Sequence, residues 1–125
     1  MNAQERKERP VYSGVLKYFP DALLEVAHCS WVGNQQHHKD KPLHWDKSKS
    51  TDEPDALVRH LMQSGTFDTD GIRHSAKVAW RGLALLQREL DAEKIINNQI
   101  ESHGRHTIED TVTKGDNGAG LHQTQ

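Results

Sequence analysis

Apolar residues recur at helical spacing in three segments of the chain, and polar stretches separate these segments. The first begins after Pro20, the second runs from about Glu53 to Gly65, and the third runs from about Ile72 to beyond Leu90. The positions expected to face the core are Ala22, Leu23, Val26, Ala27 and Trp31; Leu57, Leu61 and Met62; and Ile72, Ala76, Ala79, Leu83, Leu86 and Leu90. No strand pattern of useful length appears, so the predicted fold class is all-α, a small helical bundle.

The segments between these helices differ in character. The apolar stretch Tyr12–Phe19 is broken by Gly14 and is predicted to cross the core as an extended strap. Gly33–Asp55 is strongly polar and is predicted to be a long loop, held to the body of the protein by Trp45. The predicted domains are a flexible arm at residues 1–10, a helical domain at 11–103 and a disordered tail at 104–125.

The share of hydrophobic residues is low for a chain that forms a complete core by itself. Only 34% of the residues are hydrophobic and 27% are charged. The third predicted helix is nevertheless apolar over a wide arc, because Val78, Leu85 and Ile96 widen its stripe. A helix of this kind in so polar a chain predicts a homo-oligomer, in which neighbouring subunits cover the apolar positions.

The net charge limits the kinds of partner the chain can bind, and the cysteine content indicates its redox setting. The formal net charge of −2 gives no electrostatic case for duplex DNA or an anionic membrane surface. No apolar run approaches the length of a membrane span. The single cysteine, Cys29, is predicted to be a buried and inert thiol, and its isolation favours a reducing, cytoplasmic setting.

The candidate chemistry concentrates at the corner between the second and third helices. His60 lies near the end of the second helix, Asp68 and Asp70 lie in the connecting loop, and His74 opens the third helix. Burying such groups is costly unless they find partners or a ligand. The corner is therefore either a hydrogen-bonded structural element or a site for an anionic ligand, with or without a metal. Glu25 and His28, three residues apart on the first helix, could join it.

Basic residues could supply contacts to phosphate groups. Arg73, Lys77 and Arg81 recur every four residues and so share one helix face, which is either a phosphate-binding ridge or a solvated surface. Lys17 and Arg59 are further candidates. The loop histidines His37, His38 and His44 are interpreted as a solvated surface rather than a metal site, since their spacing is not that of a zinc site.

Several familiar chemistries are excluded by missing motifs. The chain has no phosphate-binding P-loop, no glycine-rich dinucleotide fingerprint and no Gly-x-Ser-x-Gly elbow. It also lacks the His-Asp dipeptide of the histidine-aspartate phosphohydrolases. Its one Glu-x-x-Glu, from Glu5 to Glu8, lies in the charged arm rather than in a predicted core helix.

From about Lys17 to Leu90 the chain resembles the small phage-encoded proteins described as dATP/dGTP diphosphohydrolase, N-terminal domain. The resemblance rests on an ordered set of residues: Lys17, Pro20-Asp21-Ala22-Leu23-Leu24-Glu25-Val26-Ala27, Gly33, His44-Trp45, Ala56-Leu57-Val58-Arg59-His60-Leu61, Gly65, Asp68, Gly71 and His74. The chain departs from the family pattern at Lys77, where a second helix histidine is expected, at Arg81, where asparagine is usual, and at His44, which replaces an asparagine.

The resemblance implies a phage protein, acting in the host cytoplasm, that converts a purine deoxynucleoside triphosphate to the monophosphate and pyrophosphate. Under this hypothesis Mg²⁺ or Mn²⁺ is the cofactor. The implied roles are metal ligation by Glu25, Asp68 and Asp70, acid/base catalysis by His60, His74 and Asp68, and nucleotide or phosphate binding by Lys17, Arg59, Lys77, Arg81 and Trp45.

Two other hypotheses remain open from the sequence. The cations at positions 77 and 81 favour binding without turnover, as in a phage sponge that sequesters a cyclic-nucleotide signal of host antiviral defence, with Trp31, Trp45 or Trp80 stacking on a base. A purely structural or partner-binding helical module is the third possibility.

Overall fold

The computed structural model describes residues 1–48 and 52–115, with only the helical backbone described over 105–115. The described residues are mostly helical, which confirms the all-α prediction at the level of fold class. Their elements in chain order are α1 (Ala3–Lys7), a π-helical turn (Tyr12–Leu16), α2 (Pro20–His37), α3 (Glu53–Met62) and α4 (His74–Gly115). One isolated β-bridge joins Phe67 to Arg73 within this part of the chain.

The helix starts follow the sequence closely. The side chain of Asn2 accepts a hydrogen bond from the Glu5 N–H and that of Glu5 accepts one from the Asn2 N–H, forming a capping box at α1. α2 and α3 each carry proline in the first turn, where its missing N–H costs nothing. Acidic residues accompany these prolines and complement the positive end of the helix.

The helix ends and connections differ from the predictions. Tyr12–Leu16 is π-helical, so the prediction of an extended strap is wrong. α2 continues past Gly33 to His37, which shortens the predicted loop. α3 ends at Met62 because the following turn leads to Gly65, whose φ of 86° lies in the left-handed region.

The third predicted helix is α4. It begins at His74, two residues later than predicted, and its backbone stays helical through Gly115. The helix thus extends across the start of the segment predicted to be a disordered tail. The remainder of that segment, residues 116–125, lies outside the described residues.

The chain divides into two compact units, residues 1–86 and 87–125. In the first unit the buried apolar side chains among the described residues are few, and most of them are small: Ala56, Ile72, Ala76 and Ala84. Asn34, Glu53 and His74 are also buried, at 5%, 2% and 4% exposure. Leu61 and Met62 were expected to face the core but are 52% and 82% exposed, so that prediction is wrong.

The apolar stripe predicted on α4 also stays largely at the surface. Ile72 and Ala76 are buried as expected, whereas Leu83, Leu86 and Leu90 are 55%, 51% and 42% exposed. Within the described residues, no helix combines the length and the apolarity required to cross a lipid bilayer.

Candidate functional site

The turn between α3 and α4 places the acids of the predicted corner. Gly71 has a φ of 81°, a left-handed conformation that glycine adopts without steric cost. The N–H of Asp68 donates to the carbonyl of Ile72 at 2.8 Å, and the N–H of His74 donates to the carbonyl of Thr66 at 3.0 Å. These backbone bonds close the loop, so that Asp68 and Asp70 lie beside the first turn of α4.

Lys77 lies between the two aspartates. Its Nζ donates to Oδ2 of Asp68 and to Oδ2 of Asp70, each at 2.7 Å. Asp70 is bound further: its carboxylate accepts from the Ile72 N–H at 3.0 Å and from Nε2 of Gln36 at 3.4 Å. The lysine side chain is 17% exposed. Both acids therefore share one largely shielded cation, which balances one of their two negative charges.

This pairing stabilises the charged forms of all three groups. The hydrogen bond from Lys77, followed by that from the Thr69 N–H, lowers the pKa of Asp68 to about 2. Burial acts to raise the pKa of Asp70, but hydrogen bonds from Lys77 and Ile72 outweigh it, so its pKa is lowered. For Lys77, burial acts to lower the pKa, but the hydrogen bonds and negative charges of Asp68 and Asp70 outweigh burial, so its pKa is raised.

His60 and His74 meet close to Asp68. Their Nδ1 atoms are 2.9 Å apart, so in a direct hydrogen bond one ring donates and the other accepts. Burial and then the positive charge of Lys77 lower the pKa of His60, which favours its neutral form. His60, Asp68 and His74 each offer one ligand atom within 4.8 Å of the other two. This group is the candidate metal-binding cluster of the described residues.

A cleft of about 560 Å³ lies against this cluster, within the first unit. Its aromatic side contains Trp45 and Trp80, whose rings meet edge to face with centroids 5.3 Å apart. This contact confirms the expectation that Trp45 holds its segment to the body of the protein. The described residues that line the cleft are Cys29, Ser30, Gly33, Asn34, Gln36, His37, His38, His44, Trp45, Asp46, His60, Asp68, Asp70, Lys77, Trp80 and Arg81.

Arg81 links the cleft to a buried acid. Its Nη1 lies 3.6 Å from Oε1 of Glu53, and Glu53 is 2% exposed. The guanidinium also lies over the ring of Trp80, 5.7 Å from the centroid. In the sequence, Glu53 marks only the start of α3. Its position beside a helix-initiating proline gives no sign of burial, which depends on the approach of α4.

The structure brings together most of the predicted site residues. His60, Asp68, Asp70, Lys77, Arg81 and Trp45 line the cleft, and His74 contacts His60. The cations do not form the predicted ridge: Lys77 binds two aspartates, Arg81 pairs with Glu53, and Arg73 lies over the Phe67 ring at 4.5 Å.

Glu25, Lys17 and Arg59 are not among the described residues that line the cleft. Glu25 lies one helical turn before Cys29, at which the contribution of α2 to the cleft begins, and it is exposed. Arg59 instead lies 3.7 Å from the carboxylate of Asp52, on a side chain that is 62% exposed. Lys17 caps the π-helical turn and is likewise exposed.

Several cleft residues were not predicted as site residues. Asn34 is buried in the last turns of α2, where its Nδ2 donates to the Lys41 carbonyl at 3.2 Å and its Oδ1 accepts from the His44 N–H at 3.3 Å. It thereby folds the polar segment back over the cleft and places His44 against His38, with ring centroids 6.0 Å apart. The density of histidines in this segment is the available signal, although from the sequence it is interpreted as a solvated surface.

Two other side chains of α2 differ in their relation to the site. Cys29 is half-buried in the cleft lining, and burial raises the pKa of its thiol, which agrees with the predicted low reactivity. His28 instead stacks on Trp31, with centroids 5.8 Å apart, and both residues are exposed. Trp45 and Trp80, rather than Trp31, are therefore the rings available to a ligand in the cleft.

Comparison of the chain with protein-family models, with curated proteins and with solved structures gave no match.

Proposed function

We propose that the cleft binds a purine deoxynucleoside triphosphate together with a divalent cation and hydrolyses it to the monophosphate and pyrophosphate. The observation that carries this proposal is the charge pattern of the cleft. Its described lining contains three carboxylates, Asp46, Asp68 and Asp70, and two cations, Lys77 and Arg81. Both cations already contact carboxylates. A triphosphate therefore needs a metal ion to balance its charge in this cleft.

The dimensions and chemistry of the cleft suit a nucleotide. Its volume of about 560 Å³ falls within the range of small-molecule sites. Trp45 and Trp80 offer an aromatic surface to a base, and His60 and Asp68 supply polar groups to the same cleft. The lining thus combines the two kinds of group that a nucleotide requires.

The proposed hydrolysis uses side chains that line the cleft. Water attacks the α-phosphorus, a new P–O bond forms, and the bond from that phosphorus to the bridging oxygen breaks to release pyrophosphate. A bound divalent cation would supply charge neutralisation at the phosphate oxygens. His60 offers a neutral imidazole, since burial lowers its pKa, and such a ring can either bind that cation or accept the proton of the attacking water. Arg81, which lies over the Trp80 ring and beside Glu53, forms part of the cleft wall next to that ring.

Sequestration of a cyclic nucleotide without turnover is the competing hypothesis. It depends on Lys77 and Arg81 as cations available to a phosphate. Lys77 is held by two aspartates at 2.7 Å, and Arg81 lies beside the buried Glu53. Because these contacts reduce the positive charge on offer, we propose hydrolysis ahead of sequestration.

The test is an incubation of the full chain with dATP and dGTP, with Mg²⁺, with Mn²⁺ and without metal, followed by measurement of pyrophosphate. We expect metal-dependent release that falls by about a hundredfold in His60→Gln and in Asp68→Asn. Glu25→Gln is the matched control, because Glu25 is exposed and is not among the described lining residues. Intact triphosphates after prolonged incubation with either metal would contradict the proposal. Recovery of an intact cyclic nucleotide from the protein would favour sequestration.

A further inference from the structure

Three elements of the first unit each contribute one side chain to the His60–Asp68–His74 cluster. His60 lies in the last turn of α3, Asp68 in the connecting loop, and His74 at the first position of α4. One ligand atom of each lies within 4.8 Å of the others. The backbone bonds from Asp68 to Ile72 and from His74 to Thr66 hold the loop between these positions. The cluster is therefore built by the fold rather than by neighbouring residues in one flexible segment.

The spacing of the two imidazoles suits a shared ion. Their Nδ1 atoms are 2.9 Å apart. Two nitrogen ligands, each about 2.1 Å from a metal ion and at right angles, are separated by about 3 Å. Entry of an ion would thus replace the hydrogen bond between the rings with little change in the distance between the two nitrogens, while each ring turns its lone pair toward the ion. We propose that His60, Asp68 and His74 bind a single divalent ion of the first transition row, and that Lys77 opposes its binding.

The donor atoms set the class of metal. Two imidazole nitrogens and one carboxylate oxygen form a mixed set that suits Mn²⁺, Fe²⁺, Co²⁺, Ni²⁺ or Zn²⁺, whereas Mg²⁺ prefers oxygen ligands alone. Three protein ligands leave coordination positions for water or a phosphate oxygen. His60 and Asp68 also line the cleft, so these positions are accessible from it. This set differs from the Glu25, Asp68 and Asp70 ligands that the family resemblance implies, since Asp70 binds Lys77 and Glu25 lies outside the described lining.

The positive charge of Lys77 weakens the binding of a metal ion at this site. Its ammonium lies 2.7 Å from Oδ2 of Asp68, so it already neutralises the one carboxylate of the cluster. An incoming dication meets both this competition and the repulsion of a nearby positive charge. Asp70 can retain Lys77 when Asp68 turns to a metal, because the lysine also lies 2.7 Å from Asp70. Removal of the lysine charge should therefore strengthen metal binding.

The catalytic use of this ion rests on the proposed function, but the binding of the ion does not. The experiment therefore measures metal binding alone. The full chain is stripped with a chelator and titrated with Co²⁺, with visible absorption and calorimetry as readouts. We expect one ion per chain, displacement by Zn²⁺, and no comparable binding of Mg²⁺. Absence of Co²⁺ binding would overturn the proposal, because the rings would then share a hydrogen bond and no ion.

Variants locate the ion. Asp68→Asn and His60→Gln should each weaken Co²⁺ binding by about tenfold or more, and Lys77→Met should strengthen it by about tenfold. His38→Ala and His44→Ala are matched controls, since these cleft histidines lie outside the cluster, and they should bind Co²⁺ normally. Circular dichroism checks that each variant is folded. Binding that is lost in the controls but kept in Asp68→Asn and His60→Gln would overturn the assignment.

The outcomes separate this inference from the proposed function. Co²⁺ binding that follows these variants, without hydrolysis of any triphosphate, would support the metal site and contradict the enzyme. Hydrolysis that proceeds with Mg²⁺ and is unaffected by His60→Gln, in a protein that binds no Co²⁺, would overturn the site and support an enzyme whose cation binds elsewhere.

Discussion

The polar interior of the first unit and the apolar residues of α4 contrast with each other. The interior contains Asn34, Glu53 and His74, all at most 5% exposed. Along α4, large apolar side chains are instead exposed: Leu86, Leu90, Ile95, Ile96 and Ile100, at 42% to 64%. Polar groups enter the interior because each finds a partner at hydrogen-bond or ion-pair distance there. Apolar groups stay outside where the described part of the chain supplies no second apolar surface. Burial in this protein therefore follows the availability of partners more closely than it follows hydropathy.

Glu53→Ala should give the largest effect. It removes a carboxylate that is 2% exposed and leaves Arg81 without that contact, 3.6 Å away in the intact protein. We expect the free energy of unfolding to fall by about 2–4 kcal/mol, because a fully buried side chain is lost and Arg81, whose side chain is 30% exposed, loses this charge partner. Urea denaturation followed by circular dichroism measures this change.

The pair formed by Asp52 and Arg59 provides the control. Its separation of 3.7 Å is nearly the same, but its side chains are 55% and 62% exposed. Arg59→Ala should therefore change the unfolding free energy by less than about 0.5 kcal/mol. Equal losses in the two variants would show that burial does not distinguish these pairs.

Asn34→Ala should have the next largest effect. It removes the side-chain bonds to the Lys41 carbonyl and the His44 N–H, which are the contacts that hold the polar segment over the cleft. We expect a loss of about 1–2 kcal/mol and a red shift of tryptophan emission as Trp45 becomes more exposed. Gln36→Ala removes only a longer bond to Asp70, at 3.4 Å, and should cost less. An unchanged emission spectrum in Asn34→Ala would contradict this role.

Acidification should weaken the Asp68–Lys77 pair. The pKa of Asp68 is lowered to about 2 in the folded chain, below its value of about 3.9 when unfolded. The stabilisation is therefore present above about pH 4 and is lost as the pH falls toward 2. Melting temperatures measured from pH 5 to pH 2.5 should fall less steeply in Asp68→Asn than in the parent chain. Parallel curves would show that the pair contributes no pH-dependent stability.

Ile96→Asp should have the smallest effect on the stability of a single chain, below about 0.5 kcal/mol, because Ile96 is 55% exposed. Its effect should appear in assembly. We predict that the parent chain is a homo-oligomer at micromolar concentration and that this variant has the mass of one 14.2 kDa chain. Light scattering measures both masses. A parent chain of 14.2 kDa would contradict the prediction and leave the apolar residues of α4 uncovered.

Much of the helical framework could be predicted from local signals. Pro20 and the pair Glu53-Pro54 mark helix starts through the chemistry of the first turn, and the structure confirms both. Gly33 resembles a helix end, yet α2 continues because Asn34 bonds to residues seven and ten positions later. Such bonds depend on the path of the loop, which local propensity does not determine.

The same limit applies to the candidate site. The spacing of His60, Asp68 and His74 around a glycine-containing turn was sufficient to predict that they form a cluster. The pair between Lys77 and Asp68 was not predicted, because the sequence indicated only a phosphate-binding or a solvated role for Lys77. The pair depends on how the turn presents its carboxylates to α4. The contact between Glu53 and Arg81 is even harder to predict from the sequence, since it requires α3 and α4 to pack together.

The thiol of Cys29 gives the cleft a natural reporter. It is the single cysteine of the chain, it lines the cleft, and its raised pKa keeps it protonated at neutral pH. A maleimide or disulfide reagent should therefore label one position per chain, slowly at neutral pH and faster as the pH rises. A molecule that fills the cleft should shield this sulfur, and the labelling rate then measures occupancy. Ligands can thus be screened by mass spectrometry on the unmodified sequence, whatever chemistry the cleft performs on them.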